Sequence, residues 1–118
     1  MAKKVSVNDD AVKKARSLIN SHHYVLESDW SEAQPSADEE NDYLERHDWD
    51  GYSEWFLGID KEASKETKSR YEFPYGDFNR VHRDGLIAAK QRAAQNDHAE
   101  VEKTADELLE LLDKTKSS

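Results

Sequence analysis

The clearest helical pattern lies near the N-terminus, where small and medium apolar residues recur at the spacing of one helix face. This pattern predicts a helix from Asp9 to Ser21. Asn8 or Asp9 is suited to cap it. The acidic residues at its start interact favourably with the positive end of the helix dipole. A helix this short is marginal alone, so its apolar face predicts packing against the rest of the chain. That face consists of Ala11, Val12, Ala15, Leu18 and Ile19.

A polar stretch over 27–41 follows, and its one large apolar side chain is Trp30. The residues before it, 22–26, fit either an extension of the first helix or a short strand. Ser36 and Glu39 have the spacing of a capping box, in which each side chain bonds the other residue's backbone N–H. They predict a helix over 37–46, with three acidic residues in its first turn.

Two short runs rich in aromatic and branched residues predict strands at 53–59 and 70–73. Asp50-Gly51 predicts a turn before the first run. In the second run aromatic and charged residues alternate, which is typical of a half-buried strand. Pro74 ends it, because proline lacks the N–H that a strand ladder needs. We expect the two strands to pair antiparallel, with helices covering one face.

The last third of the chain predicts two helices that pack as an antiparallel αα-hairpin. The first runs from 78 or 79 to 95, with Asp77 as its candidate cap. Gly85 interrupts it, which indicates either a close approach to another backbone or a helix that begins after residue 85. The second helix ends near residue 113 and has a strong apolar stripe, made of Val101, Ala105, Leu108, Leu109, Leu111 and Leu112.

Eight aromatic residues fall between positions 49 and 78, and we expect this block to build the core. The predicted fold class is therefore α+β: a small antiparallel β-hairpin of two strands, with a possible third, packed by three to four helices. At 118 residues the chain is expected to form a single domain over 1–118, with frayed tails at 1–7 and 114–118. It contains no cysteine, which excludes disulfides and thiolate chemistry.

The net charge of −9 is concentrated in the middle of the chain, where residues 28–66 carry thirteen acidic and three basic groups. Direct nucleic-acid binding is disfavoured for such a surface. A basic partner protein suits it, and a solvated acidic loop is the simpler interpretation. No apolar run follows the basic start and none is long enough to span a bilayer, so we expect no membrane association and a cytoplasmic protein.

The residues with candidate binding chemistry are Trp30, Trp49, Arg80, His82 and Arg83. Trp30 either anchors the polar segment or offers its ring to a partner. The two arginines, close to a predicted helix start, fit an anion such as phosphate, or else pair with the acidic helix that follows. No catalytic residue is assigned, no cofactor is predicted, and no histidine spacing predicts a metal site.

Four segments of the chain together form a recognisable pattern. They are Asp48-Trp49, the run Trp55-Phe56-Leu57-Gly58-Ile59-Asp60, the run from Tyr71 to Phe78 and the run from Arg80 to Gln95. With these segments the chain resembles small uncharacterised bacterial proteins, and is distantly similar to segments found with phage capsid-maturation genes. The resemblance covers about residues 24–113. It implies a bacterial or phage-derived protein and implies no activity.

The function expected from these observations is a non-enzymatic protein-interaction module. Its expected contact surfaces are the acidic segment from Trp30 to Asp50 and the edge formed by Arg80 and Arg83. One alternative is an acidic nucleic-acid mimic that binds a DNA-binding protein, which requires an ordered row of carboxylates. The other is a small hydrolase or phosphate-ligand enzyme around Asp77, His82 and Arg83, which requires these side chains to meet.

Overall fold

The computed structural model describes residues 5–116, and its fold class is α+β, as predicted. The described residues contain five strands and five α-helices, and a 3₁₀ turn at Lys68–Arg70 precedes the fourth strand. In chain order the elements are β1 (Ser6–Val7), α1 (Asp9–Asn20), β2 (Tyr24–Val25), α2 (Trp30–Ala33), α3 (Ala37–Ser53), β3 (Phe56–Ile59), β4 (Tyr71–Pro74), β5 (Val81–His82), α4 (Arg83–Gln95) and α5 (Ala99–Lys116).

The larger sheet is antiparallel and has the strand order β1-β3-β4. Gly58 of β3 pairs with Val7 on one side and with Glu72 on the other. The predicted frayed tails are wrong where the structure describes them. Residues 6 and 7 form strand β1, and helix α5 continues through residues 114–116. The rest of the two predicted tails, 1–4 and 117–118, lies outside the described residues.

A second sheet joins β2 and β5 in parallel, with Tyr24 opposite Val81. The sequence pattern does not indicate this second sheet. The predicted start of the following helix, at residue 78 or 79, is also wrong. Two features keep the chain out of a helix there. Phe78 has a φ of 66°, outside the helical region, and Asp77 accepts hydrogen bonds from the backbone of a turn instead of capping a helix. Helix α4 therefore begins only at Arg83.

The capping box that the sequence predicts at the start of α3 is present in both directions between Ser36 and Glu39. The helix continues well past its predicted end at residue 46, so the turn predicted at Asp50-Gly51 is wrong. The chain bends earlier, at Asp48, whose φ of 60° and ψ of −177° lie outside the helical region. For segment 22–26 the sequence allows either a helix extension or a short strand. The segment contains strand β2 and does not extend α1.

The aromatic block forms the core, as predicted. Six of its eight rings are buried, and the remaining two, Trp49 and Phe78, are half-buried against them. Helices α1 and α5 cover the core with their apolar faces, on which Ile19 and Leu112 are fully buried. The buried rings are Tyr52, Trp55, Phe56, Tyr71, Phe73 and Tyr75.

Helices α4 and α5 pack against each other along their length. Two ion pairs join them, Arg83 with Asp113 and Lys90 with Asp106, so Arg83 pairs with the acidic helix, which is the sequence-based alternative to anion binding. Gly85 lies where α4 passes the backbone of Tyr75, so it marks a close approach. Of the helices in the described part of the chain, none has the length and apolar character needed to cross a membrane.

Candidate functional site

His82 is buried at the junction of β5 and α4, and both of its ring nitrogens have partners. Nε2 lies 2.8 Å from Asp77 Oδ2, and Nδ1 lies 2.9 Å from Ser28 Oγ. Only 4% of the residue is exposed. The structure therefore joins serine, histidine and aspartate side chains in one hydrogen-bonded series, which we call the Ser28 triad. Sequence reasoning paired His82 with Asp77 but missed Ser28.

Asp77 is held as a carboxylate by the turn in which it lies. Its Oδ1 accepts hydrogen bonds from the backbone N–H groups of Asn79, at 3.0 Å, and Arg80, at 2.7 Å. Burial alone raises the pKa of Asp77, but the hydrogen bonds from His82 and from the two backbone groups outweigh it and lower the pKa below the usual value of 3.8. An ionised Asp77 accepts hydrogen bonds only, so Nε2 of His82 carries a proton.

Trp30 anchors the polar segment rather than presenting its ring to solvent. It is 7% exposed, and its ring lies against that of His82 with centroids 5.4 Å apart. Its backbone N–H donates to Asp84 Oδ2 at 2.9 Å, which ties the start of α2 to the first turn of α4. Ser28 lies two residues before Trp30, so this anchor also positions the triad's hydroxyl group.

The two predicted anion-binding arginines separate in the structure. Arg83 donates from Nε and Nη2 to the two carboxylate oxygens of Asp113 on α5, at 2.9 and 3.2 Å. Its guanidinium group is therefore not gathered with Asp77 and His82. Arg80 remains exposed beside the turn, with Nη2 3.8 Å from Asp77 Oδ2. Trp49, the remaining predicted binding residue, stacks on Tyr71 at 5.9 Å and is half-buried.

A second candidate site, which sequence reasoning missed, lies between α3 and the turn at Asp77. Three aromatic rings form a continuous stack, in which Tyr43 lies between His47, at 4.1 Å, and Phe78, at 4.3 Å. The hydroxyl of Tyr43 accepts a hydrogen bond from Trp55 Nε1 at 3.0 Å, which fixes the stack to the core. No sequence signal indicates this stack, because Phe78 is distant in the chain from the α3 rings.

The aromatic stack is part of an open cleft of about 320 Å³, which we call the Tyr43 cleft. Charged side chains surround the rings, and three of the four are carboxylates. Asp77 is common to the cleft and the Ser28 triad. The residues that line the cleft are Glu39, Asp42, Tyr43, Arg46, His47, Asp77 and Phe78.

The outer face of α3 next to the cleft is acidic and largely unneutralised. Asp38, Asp42 and Glu45 are exposed at helical spacing. Among the carboxylates of α3, Glu40 alone forms an ion pair within the part of the chain that the structure describes, with Lys68 at 3.5 Å. The acidic segment is thus ordered as a helix over 37–53, and its carboxylates are fixed relative to the cleft.

Two of the further cavities on the surface border α4. One of about 320 Å³ lies beside Trp30 and is lined by Phe73, Ala89 and Arg92 among others. The other, of about 420 Å³, follows the ion pairs between α4 and α5. Residues 5–116 contain no group of three histidine or carboxylate side chains placed to hold a metal ion.

Comparison of the chain with protein-family models, with curated proteins and with solved structures finds no match. The resemblance to small bacterial and phage-associated proteins therefore stays a prediction. Two features of the molecule are left to indicate a function, namely the geometry of the Tyr43 cleft and that of the Ser28 triad.

Proposed function

We propose that this protein is a cytoplasmic interaction module that binds a basic segment of another protein on α3 and in the Tyr43 cleft. A lysine or arginine side chain of the partner enters the cleft beside the rings of Tyr43, His47 and Phe78. The observation that carries this proposal is the position of an aromatic stack directly beside exposed carboxylates. The binding itself needs no chemical step.

Rings and carboxylates attract a cation in complementary ways. A guanidinium or ammonium group over an aromatic face gains about 0.5–1 kcal/mol at an exposed site. Glu39 and Asp42 add charge attraction at the same place, and the neighbouring Asp38 and Glu45 extend the negative surface along α3. A solvated acidic loop, the simpler interpretation of the sequence, would not hold rings beside these carboxylates.

The rest of the fold supports this surface. We treat α4 and α5 as an antiparallel αα-hairpin that backs the sheet, while α3 is fixed to the core by the hydrogen bond between Trp55 and Tyr43. Arg46 also lines the cleft, so a partner side chain enters on the side of Glu39 and Asp42. Such an arrangement gives specificity for a cation flanked by further basic residues.

The test is a binding titration by fluorescence anisotropy with a labelled nine-residue peptide of glycine and serine that contains three arginines. The comparison peptide contains three glutamates in their place. We expect the arginine peptide alone to bind, with an affinity that falls as salt is raised. Asp42→Asn and His47→Ala are each expected to weaken binding by about fivefold, equivalent to about 1 kcal/mol.

The matched control is Glu107→Gln, which removes the same charge from the exposed face of α5. If Glu107→Gln weakens binding as much as Asp42→Asn, the attraction is a general effect of net charge and the proposal is wrong. Equal binding of the two peptides would also show that the proposal is wrong.

The nucleic-acid mimic remains the alternative. Asp38, Asp42 and Glu45 form a row that rises over about 10 Å along α3, given the helical rise of 1.5 Å per residue. Phosphates on one DNA strand recur at about 7 Å, so this row matches two positions at most. The peptide-binding function is favoured because it gives the aromatic stack a role. A phosphate mimic needs carboxylates and has no use for the rings.

A further inference from the structure

The Ser28 triad has the connectivity of an activated nucleophile. Asp77 is ionised and accepts the Nε2 proton of His82, so in the neutral imidazole the lone pair is on Nδ1. Nδ1 lies 2.9 Å from Ser28 Oγ and accepts its proton. A serine hydroxyl bonded to an imidazole that a carboxylate orients is the arrangement that makes serine nucleophilic. The two ring nitrogens are exchanged relative to the triad of serine proteases, in which serine bonds Nε2 and aspartate bonds Nδ1.

The ring of His82 is fixed more firmly than a surface histidine. Its side chain is 6% exposed, it lies against Trp30, and both nitrogens are within hydrogen-bond distance of partners. Asp77 is fixed in turn by two backbone N–H groups. Ser28 itself is half-buried, so the serine end of the triad lies nearer the surface than the buried imidazole does.

We propose that Ser28 is a nucleophile that accepts an acyl group from small carboxylic esters. The inference goes beyond the binding function proposed above and shares with the Tyr43 cleft the side chain of Asp77. It departs from the non-enzymatic role that the sequence favours. A related surface feature is Leu26, two residues before Ser28, which is 42% exposed and is the one large hydrophobic side chain so exposed in the described part of the chain. An exposed leucine two residues before the nucleophile suits a short apolar acyl group.

The reaction is a two-step transfer. Ser28 Oγ attacks the ester carbonyl carbon while its proton moves to His82 Nδ1. The bond from the carbonyl carbon to the alcohol oxygen then breaks, and the leaving alkoxide takes the proton from Nδ1. Water attacks the acyl-serine in the second step, with His82 again accepting and returning a proton, which releases the carboxylic acid and restores Ser28.

The size of the substrate follows from the surface around Ser28. Ser28 lines none of the four main cavities on the described part of the chain. A substrate therefore meets the hydroxyl at the open surface, which suits a small ester and does not provide the enclosing contacts that a long or branched substrate requires.

The experiment treats the full chain with an alkyl fluorophosphonate and follows the modified protein by intact mass and peptide mapping. Attack of Ser28 Oγ on phosphorus expels fluoride, and His82 takes the serine proton, so each labelling event releases one fluoride. We expect one label per chain on Ser28, and none on the Ser28→Ala variant. Asp77→Asn is expected to label at least about tenfold more slowly, because the imidazole is no longer oriented by a carboxylate.

Ser31 provides the matched control. Its hydroxyl donates directly to Asp29 Oδ1 at 2.6 Å, with no imidazole between them. Ser31→Ala should label as the unaltered protein does, and circular dichroism of each variant reports whether it is folded. Failure of the unaltered protein to label Ser28 overturns the proposal, as does equal labelling of Ser28 and Ser31. In either case the triad is a structural link between the β2–α2 loop and α4.

Discussion

His82 Nε2 lies 2.8 Å from Asp77 Oδ2, so the turn before β5 is hydrogen-bonded to the residue that precedes α4. The same imidazole reaches Ser28, 54 residues earlier in the chain, through its other nitrogen. One buried ring thus connects two loops and the start of a helix. Whatever its chemistry, this link is expected to contribute to the stability of the fold.

Replacing Asp77 with asparagine tests this link through its dependence on pH. The pKa of Asp77 is lower in the folded chain than in the unfolded chain, so the folded state binds fewer protons. The stabilisation is therefore fully present above the unfolded pKa of 3.8 and is lost as the pH falls through the lower folded value. At neutral pH we expect Asp77→Asn to reduce the free energy of unfolding by about 2 kcal/mol.

Urea denaturation at a series of pH values measures both the loss of unfolding free energy at neutral pH and its dependence on pH. The difference between the unaltered protein and Asp77→Asn should shrink as the pH is lowered from about 5 towards about 2. Glu107→Gln, an exposed change of the same charge, is the control and is expected to alter stability by less than about 0.5 kcal/mol. A constant difference across this pH range would contradict the assigned role of the Asp77 carboxylate.

Gly85→Ala is expected to destabilise the protein even though alanine is the better helix former by about 1 kcal/mol. A Cβ atom at residue 85 would lie 2.8 Å from the carbonyl oxygen of Tyr75 and 3.1 Å from Trp30 Cζ3. Relieving this contact requires α4 to move away from the buried strand end, at an expected loss of about 2 kcal/mol. The melting temperature of each variant, measured by thermal unfolding monitored by circular dichroism, reports this loss of stability.

Gln91→Ala is the control for that experiment, because residue 91 is exposed on the same helix. It should leave the melting temperature nearly unchanged. If Gly85→Ala raises the melting temperature, helix propensity outweighs the steric contact, and the conclusion that α4 closely approaches Tyr75 is wrong.

Asn8→Ala tests a contact that replaces an expected helix cap. The side chain of Asn8 makes no cap hydrogen bond. Nδ2 donates instead to the carbonyl oxygens of Ser53, at 2.8 Å, and Phe56, at 3.1 Å. Loss of these bonds leaves two carbonyl groups without that donor, and we expect a decrease of about 2 kcal/mol in the free energy of unfolding.

The comparison variant is Asn41→Ala, at an exposed position of α3. Its expected effect is within about 0.5 kcal/mol of zero in the same urea titration. Equal effects of the two substitutions would show that Asn8 does not join the end of α3 to the start of α1.

The features that could be predicted from the sequence are local ones. The capping box depends on Ser36 and Glu39, three residues apart, and the first helix depends on apolar spacing within one segment. Rings concentrated in one stretch also predict the core, because so polar a chain has few other groups to bury. Each of these signals lies within a short window, in which chain geometry fixes which side chains meet.

The candidate sites could be predicted only in part, because some of their residues are distant in the chain and meet only after folding. Ser28 and His82 are 54 residues apart, and nothing in the local sequence of Ser28 distinguishes it from other serines in the polar stretch. The stack of Tyr43 on Phe78 depends on the left-handed backbone of Phe78, which a bulky residue rarely adopts. The predicted start of α4 is wrong for the same reason, since periodicity alone continues the helix through that residue.

Asp48→Gly is expected to stabilise the protein by relieving backbone strain at the bend of α3. The φ of 60° and ψ of −177° at Asp48 lie in a region occupied almost only by glycine, where another residue is strained by about 1–3 kcal/mol. The substitution also removes an exposed hydrogen bond from Trp49 N–H to Asp48 Oδ1, so we expect a net gain of about 1 kcal/mol. Glu45→Gly, which removes the same charge from a regular helical position, should instead lower stability by about 0.5 kcal/mol. Urea denaturation compares the two, and a loss of stability in both variants would mean that α3 is not strained at residue 48.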